Sequence, residues 1–199
     1  MRRMSLRRRM GSRELVRILC MGFRGMLVAG AIGSGTGHAQ PYPNRPVRFV
    51  APYPAGGSSD LVARVVAQKL SESLGRQFVV DNRSGGGGIT GTELVARATA
   101  DGHTLLLGNI GPLAITVPLT KQLGYDPRTD FAPARTPAAI IDRLNADVKR
   151  ALDLPDVKAR FTDLGIEAAY STPAQYGAFV RAEVERFTRI VQQLGLKPE

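Results

Sequence analysis

Pro46-Val47-Arg48-Phe49-Val50-Ala51-Pro52-Tyr53-Pro54-Ala55-Gly56-Gly57-Ser58-Ser59-Asp60-Leu61-Val62 is the run that decides the fold class. Its first six residues, Arg48 aside, are apolar and partly β-branched, which predicts a short strand. Prolines and glycines then interrupt regular structure. From Leu61 onward, apolar residues recur at Val62, Val65, Val66, Leu70 and Leu74, the spacing of one helix face. Ser58 or Ser59 is the expected N-cap, because a short hydroxyl can accept from a free first-turn amide. Asp60 is expected to cap or orient the helix, and Gly75 to stop it.

The same unit recurs twice downstream. Phe78-Val79-Val80-Asp81 reads as a second strand, followed by Asn82-Arg83-Ser84-Gly85-Gly86-Gly87-Gly88 and a helix from about Gly91 to Ala98, with Leu94 and Val95 inward. After the turn at Asp101-Gly102, His103-Thr104-Leu105-Leu106-Leu107-Gly108 reads as a third strand. Asn109-Ile110-Gly111-Pro112 and a short helix near Leu113 to Val117 come next. Strands alternating with helices predict a parallel sheet with right-handed crossovers. The unbroken apolar runs of strands one and three suit strands covered on both faces. The fold class is therefore α/β, built from parallel βαβ units.

A proline-rich stretch from Tyr125 to Pro137 marks a boundary. Helices are expected beyond it at Ala138 to Leu152, at Pro155 to Leu164, and from Ser171-Thr172-Pro173 to about Leu194. The last carries the stripe Tyr176, Val180, Val184, Phe187, Val191 and Leu194. Ile166 to Tyr170 reads as a short strand. The organisation expected is a leader over 1–39, an α/β lobe over 40–133 and a helical segment over 134–199.

The chain has 199 residues, one Cys and a net charge of +10. One Cys excludes an internal disulfide framework. The charge would suggest nucleic acid, but eight arginines in residues 1–39 face only Glu14, so seven of the ten charges belong to that segment. It reads as a basic start, a short apolar stretch from Met26 to Ile32 and a small-residue cleavage site at Gly37-His38-Ala39, with the cut before Gln40. The other reading is a basic tail that binds nucleic acid. The apolar run is far short of the ~20 residues of a membrane span. Cys20 follows Arg17-Ile18-Leu19, a poor lipoprotein site. Gln40 to Glu199 is expected to be periplasmic, with no transmembrane segment and no nucleic-acid partner.

Each glycine-rich loop joins a strand end to a helix start. Free backbone N–H groups and the positive end of the helix dipole meet there and favour an anion. Ligands of open α/β sheets bind at the carboxyl ends of the strands. The alternative, for any one loop, is that glycine only serves a tight turn. Gly86-x-Gly88-x-x-Gly91 matches the dinucleotide fingerprint weakly, because no acidic residue ends the next strand. Catalytic groups are scarce. His103 is the only histidine after the leader, at a strand start away from the loops, where packing is its expected role. No nucleophile elbow or metal-binding His pair occurs. No catalytic residue, metal or cofactor is expected.

Tyr53-Pro54-Ala55-Gly56-Gly57-Ser58-Ser59-Asp60 resembles the first-loop signature of the substrate-binding proteins of tripartite tricarboxylate transporters, the Bug receptors. Asn82-Arg83-Ser84-Gly85-Gly86-Gly87-Gly88 is similar to the family's second loop, with Ser84 and Gly86 as departures. Asp101-Gly102-His103-Thr104-Leu105-Leu106-Leu107-Gly108, Tyr125-Asp126-Pro127, Asp130-Phe131-Ala132-Pro133, Thr136-Pro137, Leu144-Asn145-Ala146, Leu164-Gly165 and Ser171-Thr172-Pro173 extend the likeness over nearly all of Tyr42 to Glu199. The resemblance implies a type II-like periplasmic-binding-protein lobe that captures small carboxylates for membrane permease subunits. It places the ligand on Tyr53, Gly56, Gly57, Ser58, Asn82, Gly85, Gly88, Asn109 and Gly111.

One departure is large. Pro133-Ala134 joins the family's first-lobe pattern directly to its late Thr-Pro helices. Relative to the resemblance, lobe two and part of lobe one are absent, on the order of 100–150 residues. A decayed gene, a minimal one-lobe form and a faulty gene model all fit. A non-functional remnant is therefore the second reading, and a nucleotide-using enzyme fragment or a sensor the more distant ones.

Overall fold

The computed structural model describes residues 42–131 and 136–198. The expected leader and the Pro133-Ala134 junction lie outside the described residues. Three strands, β1 (Val47–Ala51), β2 (Phe78–Asn82) and β3 (Thr104–Leu106), form a parallel sheet in the order β2–β1–β3. Phe49 pairs with Val80 on one side and Leu105 on the other. Helix α1 (Ser58–Leu74) connects β1 to β2, and α2 (Ile89–Ala96) connects β2 to β3. The parallel α/β class read from the sequence is what forms.

The amphipathic spacing of α1 does what it predicts. Ala63, Val66, Ala67 and Leu70 are buried against Val47, Phe49, Ala51 and Phe78. Gly75 stops the helix at φ 67°, its N–H donating to the Ser71 carbonyl at 3.0 Å. The start differs from expectation. Gly57 is the N-cap and neither serine caps. Asp60, buried in the first turn of the helix, accepts from the Gly56 N–H instead.

Three helices follow the junction: α3 (Ala138–Asp153), α4 (Pro155–Asp163) and α5 (Pro173–Gln193). Val157 and Phe161 of α4 join the same buried cluster as β1 and α1, with Leu144, Val148 and Leu152 of α3 packed on it. Asp147, 1% exposed, accepts from Ser73 Oγ of α1 at 2.5 Å and from Arg143 Nε at 3.2 Å, and pairs with Arg150. Helix α5 opens on a capping box, with Thr172 and Gln175 satisfying each other's backbone amides. Val180, Val184 and Val191 of its stripe are buried, but Tyr176 and Leu194 at the ends are exposed.

Four local expectations are corrected. Ile166 to Tyr170 is not a strand. Ile166 and Ala168 do face the core, but the segment has no ladder partner. The α3 side chain of Asn145 holds its end instead, donating to the Ser171 carbonyl and accepting from Tyr170 Oη. The third strand keeps only Thr104 to Leu106 and is half-buried at a sheet edge, so it is not covered on both faces. Helix α2 begins at Ile89, directly after a 3₁₀ turn over Gly86–Gly88, and ends at Ala96; its buried residues are Gly91, Thr92 and Ala96, while Leu94 and Val95 are half-buried. The short helix after Pro112 is a π turn over Gly111–Ile115 and a 3₁₀ turn over Val117–Leu119. Pro118 has no N–H for a continuing helix.

Asp147 is a buried acceptor joining α1 to α3, so Asp147→Ala should lower unfolding free energy by about 1–3 kcal/mol in a denaturant titration. Asp153→Ala, at the exposed Lys149–Asp153 pair, should leave the midpoint unmoved.

Candidate functional site

Because the strands are parallel, the loops after β1, β2 and β3 all emerge at one end of the sheet. Tyr53 is where they meet. Its Oη donates to Asn109 Oδ1 of the third loop at 3.1 Å and stands 3.4 Å from the Gly87 carbonyl of the second. Burial raises the pKa of this hydroxyl, which keeps it a donor. Asn109 Oδ1 also accepts from the Gly111 N–H at 3.1 Å.

Glycine is required where the loops touch. Gly88 has φ 100°, a region costly for any residue with a Cβ. A Cβ there would stand 3.2 Å from Pro112 Cγ and 3.3 Å from Tyr53 Oη, and one on Gly111 would stand 3.2 Å from Tyr53 Oη. The approach is fixed from behind. Thr92, fully buried, donates to the Gly88 carbonyl at 2.8 Å, and Tyr125 Oη donates to the Pro112 carbonyl at 2.7 Å. Sequence reading missed both. A Thr four residues after a glycine and a distant Tyr carry no pattern of their own.

Asp60 is the anchor beneath this surface. Its carboxylate accepts from the Gly56 N–H at 2.9 Å, from Arg64 Nε at 3.0 Å and from Asn82 Nδ2 at 3.0 Å. Asn82 Nδ2 also donates to the Tyr53 carbonyl at 3.1 Å. The Arg64 guanidinium and the Gly56 N–H pull the Asp60 pKa down to about 2. The bracket ties loop one to the end of β2 and leaves the Asp60 charge offset by Arg64.

The predicted residues thus fall into two groups. Tyr53, Gly88, Asn109 and Gly111 come together around one hydroxyl. Gly57 and Ser58 lie at the α1 N-terminus, where Leu61 N–H makes the first intrahelical bond, to the Gly57 carbonyl. The amides of Ser58, Ser59 and Asp60 then have no partner within the helix. Gly56 and Asn82 spend their donors on the Asp60 bracket. Gly85 spends its carbonyl on the Gly88 N–H at 2.9 Å. The exposed surface so formed has backbone and amide donors at a helix start, which suits a carboxylate. His103 is 9% exposed, edge-on to Tyr42 at 5.1 Å, at the start of β3 and apart from the loops. That is the packing role its position predicts.

The family model described as tripartite tricarboxylate transporter family receptor matches residues 62–131 and, as a second piece, 129–196. A UPF0065 protein of a Pseudomonas species is 46% identical over 92 residues, 46% of this chain and 27% of the relative. Protein BugT of Bordetella pertussis is 42% identical over 110 residues, 55% of this chain and 34% of the relative. The chain spans about a third of the length of the curated relatives it matches. Among solved structures, periplasmic binding protein BugD superposes with a TM-score of 0.73 at 19% identity, covering 79% of this chain and 100% of that one. MatC from Rhodopseudomonas palustris with bound malate gives 0.70 at 20%, covering 75% and 100%. An R. palustris protein with adipate gives 0.71 at 18%, covering 79% and 100%. These likenesses show a periplasmic-binding-protein fold.

Gly88→Ala should destabilise by about 1–3 kcal/mol, from the left-handed backbone and the crowding at Tyr53 and Pro112; chemical denaturation measures it. Asp60 contributes a pH dependence of known sign. Its folded pKa lies below its unfolded value, so its stabilisation is complete above about pH 4 and is lost as pH falls toward 2. A wild-type minus Asp60→Asn difference in unfolding free energy should therefore be flat from pH 5 to 7 and shrink steadily below pH 4.

Proposed function

Because this chain belongs to the tripartite tricarboxylate transporter receptor family, we propose that it is an extracytoplasmic solute-binding protein of that kind, internally shortened, whose glycine loops take one small carboxylate. The observation that carries this reading is the meeting of three βα loops at the Tyr53 hydroxyl. Tyr53, Gly56, Gly57, Ser58, Asn82, Gly85, Gly88, Asn109 and Gly111 form the half-site, with the Ser58 to Asp60 amides and the Asn109 amide as donors. The adipate and malate in the two R. palustris structures support the ligand class. The two-piece family match and the one-third coverage of relatives support the shortening.

In this reading the protein is exported by its basic leader and serves membrane permease subunits without catalysing a reaction. No described helix is long and apolar enough to cross a membrane. A complete clamshell closes over its ligand and excludes water, which strengthens polar contacts. A single lobe leaves the anion wet on one side. Binding is therefore weak, about millimolar, or ~4 kcal/mol. The half-buried β3 edge favours a second reading, a remnant that has lost transport.

Thermal melts followed by circular dichroism test the proposal, with malate, succinate, adipate, citrate or tartrate at ten times a millimolar Kd. One of these should stabilise by about 1.4 kcal/mol, raising Tm by roughly 3–6 °C. Tyr53→Phe should reduce that shift. A cooperative melt blind to every acid would remove carboxylate capture and leave the remnant reading.

A further inference from the structure

A cavity of about 540 Å³ among the described residues lies apart from Tyr53, Gly88 and Asn109. It runs along the outer edge of β3. Leu105 and Leu107 line it from one face of the strand, Leu106 from the other, and Tyr176 and Val180 of α5 also border it. Successive strand residues point to opposite faces, so one hollow reaches both only around an unpaired edge.

The ladder fixes which backbone groups face that hollow. Arg48 N–H donates to the His103 carbonyl at 2.9 Å, and Leu107 N–H donates to the Val50 carbonyl at 2.8 Å. Alternate residues of a strand bond to the same neighbour. Residues 103, 105 and 107 therefore turn their backbone toward β1, and Thr104 and Leu106 turn theirs outward. Hydrocarbon would leave those N–H and C=O groups unpaired, at a cost comparable to lost hydrogen bonds. An extended backbone would pair them, with side chains for the apolar walls.

The place where the chain is short indicates the source of that backbone. Pro127, Arg128, Asp130, Phe131 and Thr136 line the same hollow. The two family-matched pieces meet at residues 129–131. The point at which longer relatives carry additional chain thus opens onto the groove. We propose that the β3 edge is an acceptor for one extended strand, and that its occupant is a strand from the stretch that longer family receptors carry between the two matched pieces, bound here in trans. The inference rests on the reading of this chain as an internally shortened receptor.

The test mixes the purified full chain with the corresponding intervening stretch of BugT, produced as a separate polypeptide, and follows amide hydrogen exchange. The Thr104 and Leu106 amides should exchange at least tenfold more slowly in the mixture, and the two polypeptides should co-elute. Thr104→Pro removes one outward N–H and none of the bonds to β1, so it should abolish co-elution while leaving the free chain's melt in place. Should that variant fail to fold, Gly177→Trp, where an added Cβ meets only Arg181 Nη1 at 3.5 Å, narrows the groove from α5 with β3 untouched and should have the same effect. Unchanged exchange, or co-elution indifferent to both substitutions, overturns the proposal. So does protection that appears without the BugT stretch and grows with chain concentration, which would make a second copy the occupant. Filling of the cavity by decanoate with both amides still exchanging freely overturns it too. Malate stabilisation of the free chain, measured alone, reports separately on the receptor reading.

Discussion

Everything at the candidate site depends on β1 being hydrogen-bonded on both sides to strands that run its way. Val47, Phe49, Val50 and Ala51 are buried, which a central strand requires. Parallel direction brings three strand ends, and hence three loops, to one side of the sheet. Without that constraint, Tyr53, Gly88 and Asn109 would be unrelated positions in sequence. With it, one phenol touches all three loops.

The Asp60 bracket turns this proximity into a fixed geometry. A buried carboxylate is tolerated only when its lone pairs are satisfied. Here Gly56, Arg64 and Asn82 do so from the loop, the helix and the second strand. The arrangement has an electrostatic side as well. A helix start attracts anions, and Asp60 is already one. Arg64 offsets that charge, so the amides at the helix start stand beside a neutralised pair rather than beside an exposed negative charge.

Much of this was legible in the sequence, and the reasons for the rest are specific. The spacing of Val62, Val66 and Leu70 announced α1, and the β-branched run at Val47 announced β1, because burial on one face dictates those periods. The glycines announced loops, and their common end of the sheet followed from strand direction. Pairwise contacts across long separations were not legible. Thr92 holding Gly88, Tyr125 holding Pro112 and Ser73 meeting Asp147 depend on tertiary placement alone. The serines that open α1 looked like caps, yet Gly57 and the Asp60 carboxylate serve there. Ile166 and Ala168 alternated like a strand, but alternation reports only which side chains turn inward; a strand also needs a neighbour with free backbone groups.

Ser73 and Asp147 also connect one side of the junction to the other, as do Phe161 with the β1 cluster and Lys69 with Asp156. None of these residues belongs to the link itself. The stretches before and after it therefore recognise each other through their own side chains, and the link only closes a loop between them. The entropy of closing a loop rises with the logarithm of its length, about 0.6 kcal/mol for each doubling. A link of a hundred residues in place of four, 25-fold longer, would then ask only about 3 kcal/mol more of the contacts that hold its ends. Such a joint is a place where a chain can gain or lose a large insert while the body on either side keeps its packing.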